Sequence, residues 1–140
     1  MDSVNENITL LVAFATRDGD AIPKGHFGEA PRFDIYRLSE TMVERVASVH
    51  NPRTGASRSD HQQTGRGGGG IGRFLGEHGA QVMVSRGFGP NIQRMRRRFL
   101  PVKVDLDSVA GAIGLLQANW PTVQAQWLQG EERKHLVLRR

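Results

Sequence analysis

ITLLVAFA, residues 8 to 15, is an almost unbroken apolar run of strand length. A strand with one wet face alternates polar and apolar residues, so a run without alternation marks a central strand covered on both faces. Outward from it, the turn TRDGD follows, then RFDIYRL (32 to 38) and TMVERVASV (41 to 49). Both are rich in β-formers and roughly alternating, and the short polar link Ser39-Glu40 predicts a hairpin. Three strands therefore precede any helix.

From His50 to Gly70 the chain reads HNPRTGASRSDHQQTGRGGGG, without hydrophobic periodicity, which predicts a long mobile loop. Ile71, Phe74, Leu75 and His78 then have helical spacing, and AQVMVS (80 to 85) reads as a strand. In GFGPNIQRMRRRF a helix beginning near Pro90 would place Ile92, Met95 and Phe99 on one face. PVKVDL (101 to 106) reads as a further strand, and Asp107 as the N-cap of a helix carrying Val109, Ala112, Ile113 and Leu116, stopped before Pro121. The order βββαβαβα predicts a single α/β domain built on a mixed five-stranded sheet with helices on its faces. The domain is bounded at 1–118, with the loop at 50–70. Residues 119–140 form an extension, read as a short docked helix and a frayed basic end.

The totals agree with one core. The chain has 140 residues, 38% hydrophobic and 24% charged, enough to fold alone and far from a disordered composition. The N-terminus MDSVNENITLLVAF lacks a basic n-region, and no apolar run approaches the ~20 residues that span a bilayer. The expected location is the cytoplasm, without a membrane partner. Cysteine is absent, which removes disulfides, thiolate ligands and a cysteine nucleophile together.

Charge is segregated. Residues 1 to 44 carry four basic and eight acidic groups, whereas residues 45 to 103 carry eleven basic and two acidic, a local charge of +9. Sixteen of the nineteen basic residues are arginines, whose forked donors suit oxyanions, carboxylates or phosphates, so an anionic partner is expected.

Two glycine-rich stretches precede predicted helices: TGRGGGGIGR (64 to 73), containing Arg66, Gly68 and Gly69, and SRGFGP (85 to 90), containing Arg86, Gly87 and Gly89. Each reads as an anion-cradling nest of backbone N–H groups or, equally, as a flexible linker and a plain tight turn. The first follows a loop and not a strand, so it is a poor dinucleotide fingerprint, and no Gly-Lys-Ser/Thr makes it a P-loop. The second lies where open α/β sheets place ligands. RMRRRF (94 to 99) resembles a nucleic-acid footprint, yet Arg94, Arg97 and Arg98 on the wet side of a helix explain it, and nucleic-acid binding is disfavoured. Asp18, Asp20, Glu29 and Asp34 read as solvated residues rather than a two-metal site, and no Ser-His-Asp arrangement is visible. Of the histidines, His50, His61, His78 and His135 lack ligand spacing. His26, in KGHFGEAPRF (24 to 33), is placed between glycines either to reach a metal or donate a hydrogen bond, or as a turn histidine satisfied by backbone.

The order of a first strand, a DG turn, HFG with an aromatic second strand, a GFGP turn, a PVKV strand and a final helix resembles the dinitrogenase iron-molybdenum cofactor biosynthesis family over roughly residues 7 to 118. The resemblance implies a ribonuclease H-like fold without nuclease or other enzymatic activity, used to bind or carry an iron-molybdenum cofactor or other molybdenum-sulfur cluster, with cofactor-assembly proteins as partners. Carried over by position, it assigns His26, Phe27 and Gly28 to HFG and Gly87, Gly89 and Pro90 to the glycine turn. Arg66, Gly68, Gly69 and Arg86 join them as cofactor-binding candidates, and His26 and His61 as metal candidates. Without thiolates, a soft cluster would be enclosed by imidazole, arginine and backbone N–H groups. The competing expectation is a regulatory or assembly module that contacts other proteins through Trp120 to Trp127 and the arginine helix.

Overall fold

The computed structural model describes residues 8–52 and 68–140. Its strands are β1 (Leu10–Thr16), β2 (Arg32–Leu38), β3 (Val43–His50), β4 (Val82–Ser85), β5 (Leu100–Val104) and β6 (Leu136–Leu138). The helices are α1 (Gly68–Glu77), α2 (Ile92–Met95), α3 (Val109–Ala118) and α4 (Trp120–Trp127). The six strands form one sheet in the order β3-β2-β1-β4-β5-β6. β2 is antiparallel to β1 and β3, while β1, β4, β5 and β6 are mutually parallel along the sheet.

β1 is central, as its sequence requires. Val12 and Phe14 point into one core and Ala13 and Ala15 into the other, all buried. The first core packs β1, β4 and β5 against α3 and α4 through Val109, Ala112, Leu116, Trp120 and Val123. The second packs Ala13, Ala15, Phe33, Ile35 and Met83 against Phe27, Ile71, Leu75 and Phe99. Small alanines of β1 on this second side leave room for the aromatic rings. The predicted hairpin is β2–β3, and a register shift between Ile35 and Tyr36 pairs them with Ala47 and Arg45, leaving Val46 as the extra residue of a bulge.

Several local expectations are corrected. The sheet has six strands rather than five, because the basic tail is not frayed. Arg133 anchors it, and the three residues Leu136–Leu138, too few to show alternation in sequence, pair with Val102, Lys103 and Val104. Residues 119–140 pack on the same sheet, with Trp120 fully buried and its Nε1 donating to the Ile8 carbonyl at 3.1 Å. α3 is capped by Ser108 rather than Asp107. Ser108 has extended backbone and its Oγ accepts from Gly111 N at 2.9 Å, while the Asp107 carbonyl accepts from Ile22 N. α2 is one turn long. Its exposed Arg94 and the following Arg97 and Arg98 remain wet as expected, and Phe99 dives into the second core. Asp34 is buried rather than solvated: Arg32 Nε and Ser48 Oγ donate to its Oδ1 at 3.2 and 2.7 Å, and Arg45 stands 3.8 Å from Oδ2.

Candidate functional site

The carboxyl ends of the adjacent parallel strands β1 and β4 are where this topology exposes a crevice. The loops leaving them are TRDGD, leading on to HFG, and SRGFGP, and they meet there. Gly25 takes φ +114°, a left-handed conformation that favours glycine, and turns the chain into His26. Phe27–Glu29 forms one 3₁₀ turn, stapled by Glu29 N donating to the His26 carbonyl at 2.9 Å and His26 N donating to Glu29 Oε1 at 3.1 Å.

The two glycine loops are clamped together. Phe27 N donates to the Gly87 carbonyl at 2.9 Å. A Cβ at Gly87 would stand 2.9 Å from the Gly25 carbonyl oxygen, and one at Gly89 would stand 3.2 Å from His26 Nδ1. Gly87 is thus glycine for close approach, and Gly89 makes the floor on which the His26 ring rests. The Phe27 ring is 1% exposed, tilted against Phe33 at 4.8 Å and stacked on Phe88 at 5.6 Å. Phe27 therefore anchors the loop to the core. On the other flank, Asn51 is buried and its Nδ2 donates to the carbonyls of Gly28 and Ala30 at 2.9 and 2.7 Å.

Two hollows border this clamp. One is a cleft of about 200 Å³ walled by His26, Phe27, Ile71, Phe88, Gly89 and Met95, with Gly28 and Asn91 at its edge. Its walls are mostly apolar, with an imidazole and a thioether as soft donors and Glu29 as its acid. The second, of about 360 Å³, is lined by Arg17, Lys24 and Arg86, with Asp107 as its acid. Nearby, Asp18 stiffens the first turn: its Oδ1 accepts from the backbone N–H groups of Asp20 and Ala21, and the Ala21 bond first, then that of Asp20, lowers its pKa from the ordinary carboxylate value.

The structure thus brings together His26, Phe27, Gly28, Gly87 and Gly89, and sets Arg86 in the adjoining basic hollow with two cations that sequence reasoning did not select, Arg17 and Lys24. Gly68 and Gly69 form the first turn of α1, which leads to Ile71 in the cleft wall. Arg66 and His61 lie outside the described residues, as does most of the 50–70 loop. Among the described residues no group of three or more His, Cys, Asp or Glu is placed to hold a metal ion. His78 lies at the end of α1, its Nδ1 3.0 Å from the Phe74 carbonyl. Met95, Phe88 and Asn51 were missed, because a methionine, a phenylalanine and an asparagine in these positions carry no motif.

Comparison with protein-family models matches residues 9–119 to the family described as dinitrogenase iron-molybdenum cofactor. The chain belongs to that family. The match covers every strand but β6 and ends where α4 begins, so the clamp between HFG and GFGP lies wholly within the dinitrogenase iron-molybdenum cofactor region. Among solved structures, the chain is similar to a protein of Methanocaldococcus jannaschii, provisionally described as a dinitrogenase. The TM-score is 0.59 at 13% identity, over 80% of this chain and 91% of that one. At that identity the likeness establishes a shared fold. No curated protein matches the chain significantly. Among the described residues no helix is long and apolar enough to cross a membrane.

Proposed function

We propose that this protein binds and carries an anionic, molybdenum-containing or related metal-sulfur cluster during assembly of the iron-molybdenum cofactor, with no turnover of its own. The observation that carries the reading is the clamp, in which HFG and GFGP, far apart in sequence, lock into one rim between a soft-walled cleft and a basic hollow. A sulfur-rich cluster is polarizable and negatively charged. Apolar aromatic walls, the Met95 thioether and the His26 imidazole suit its sulfur surface, while Arg17, Lys24 and Arg86 balance its charge. Because the chain has no thiolate, His26 is the strongest ligand candidate on the rim and the remaining contacts enclose rather than ligate.

Against the competing reading, a module that contacts other proteins through Trp120 to Trp127 and the arginine helix, stands the packing of the two tryptophans. Trp120 is buried in the first core, and Trp127 is half-buried beneath the Arg133 guanidinium at 4.0 Å.

Full-length protein incubated anaerobically with isolated cofactor or tetrathiomolybdate, then desalted, should retain molybdenum and a charge-transfer band. The His26→Ala variant should lose most of the retained metal while its Tm stays within about 2 °C, as expected for an exposed side chain. Absence of retained metal in the parent protein would overturn the reading. Early unfolding of the variant with full retention would make His26 structural.

A further inference from the structure

The α2 segment has two sides. Asn91 and Met95 turn to the cofactor cleft, whereas Gln93, Arg94, Arg96 and Arg97 line a separate hollow of about 410 Å³ completed by Glu131 and Arg133. The two share no lining residue.

Arg133 makes this hollow a built feature. It is buried, with Nε donating to the Trp127 carbonyl at 3.0 Å and Nη1 to the carbonyls of Arg96 and Arg97, both at 3.1 Å. Its guanidinium carbon lies 4.0 Å from the centre of the Trp127 ring. Burial lowers its pKa, yet a guanidinium stays charged at neutral pH. Nη2 makes no hydrogen bond among the described residues. No buried side-chain nitrogen or oxygen there is left unpartnered, so Nη2 opens to solvent. The side chains of Arg94, Arg96 and Arg97 likewise make no ion pair or hydrogen bond among the described residues, and Glu131 pairs with none of them.

Four guanidinium groups lining one hollow against a single carboxylate give it a net positive charge that favours an anion. The volume lies within the range of small-ligand pockets. Among the described residues no aromatic side chain lines the hollow, and the neighbouring Trp127 ring is already covered by Arg133, which leaves no platform for the stacked bases of a nucleic-acid strand. Guanidinium forks match phosphoryl oxygens two at a time. The geometry points to a second binding site, independent of the cofactor cleft, for a compact ligand carrying two adjacent phosphoryl groups, whether free pyrophosphate or the diphosphate of a nucleotide.

The test is calorimetric titration of full-length protein with pyrophosphate, ADP, AMP and phosphate at constant ionic strength, with tryptophan fluorescence as a second readout. Pyrophosphate and ADP should each saturate one site at least about tenfold tighter than phosphate. ADP binding tighter than pyrophosphate identifies a nucleotide as the source, and equal affinities identify the diphosphate alone. Replacing two exposed arginines, Arg94→Gln with Arg97→Gln, should weaken binding by about tenfold or more without moving Tm, and His26→Ala should leave it unchanged. Failure to saturate by about 1 mM, equal binding by the double variant, or tighter binding of oligothymidylate or polyglutamate than of pyrophosphate overturns the assignment.

Discussion

Replacing Gly87 by alanine tests the clamp directly, because the position has no need of glycine's backbone freedom: its φ is not positive. What it lacks is space. An added Cβ would stand 2.9 Å from the Gly25 carbonyl oxygen and 3.5 Å from its carbon, where ordinary contact begins at 3.4 Å, so the loops must part by about 0.5 Å. The obstacle is backbone, so no side chain can swing away. That displacement stretches the 2.9 Å bond from Phe27 N to the Gly87 carbonyl past good geometry and shifts Phe27, whose ring is wedged between Phe33 and Phe88. Overpacking costs roughly 1–3 kcal/mol and the bond about 1 kcal/mol, in part overlapping, so a loss of about 2 kcal/mol is expected. For a domain of this size that is a fall in Tm of about 5–10 °C. Thermal unfolding and molybdenum retention should be measured together, with Gly114→Ala as the control. Gly114 is exposed within α3 and its added Cβ would meet nothing within 4 Å, so that variant should gain up to about 1 kcal/mol from helix propensity. If Gly87→Ala unfolds with the parent protein and retains as much metal, the clamp does not organise the site.

Arg133→Met should lower stability by about 2–4 kcal/mol in denaturant titrations, since it removes three charge-assisted bonds to carbonyls, and Arg133→Lys should not restore it. An unchanged midpoint would mean that the tail is held by β6 alone. Asn51→Asp replaces the Nδ2 amino group, which donates to the carbonyls of Gly28 and Ala30, with an oxygen that cannot donate. It should cost about 2–4 kcal/mol and speed amide exchange at Phe27 and Glu29; unaltered protection there would refute the bracing role. Asp18→Ala should show a pH signature. The folded pKa of Asp18 is lowered, so its contribution is present above the ordinary carboxylate pKa and lost as pH falls through the folded value. The Tm gap between parent and variant should hold from neutral pH to about 4 and close below it, and a gap independent of pH refutes the assignment.

What was legible in the sequence follows from how local each cause is. A strand covered on both faces leaves an unbroken apolar run, so ITLLVAFA could be placed at the centre of the sheet, and the β2–β3 hairpin could be read from alternation around a two-residue link. The HFG and GFGP stretches stand out by glycine content, yet nothing local tells that Gly87 meets the backbone at Gly25, because that contact exists only once β1 and β4 are side by side. Asp107 and Ser108 are both good caps, and the choice depends on Asp107 offering its carbonyl to Ile22, a tertiary contact. Asp34 looked solvated because burying a carboxylate requires Arg32, Arg45 and Ser48 to converge across a strand pair. Arg133 is one arginine in a basic tail, indistinguishable by composition from its solvated neighbours until Trp127 covers its face.

The same distinction reorganises the charge. In sequence, the +9 of residues 45 to 103 reads as one basic surface facing one anion. Among the described residues of that stretch, the arginines separate by use in the fold. Arg45 joins Arg32 beside the buried Asp34, Arg73 approaches Glu77 along α1, and Arg98 lies over the Phe99 ring, so these three serve the domain itself. Arg86 joins Arg17 and Lys24 from the acidic N-terminal third to make the hollow beside HFG, and Arg94, Arg96 and Arg97 join Arg133 from the tail to make the other. Each basic hollow is thus completed by cations from outside the basic middle, and neither could be located by counting charge along the chain. Among the described residues the α2 segment borders both the cleft beside His26 and the arginine hollow, with Met95 lining the first and Arg94 the second. A helix of four residues has little rigidity of its own. Its position is therefore set by what it packs against, which makes Phe99 in the core and Arg133 on the carbonyls of Arg96 and Arg97 the contacts that hold the Met95 wall of the cleft in place.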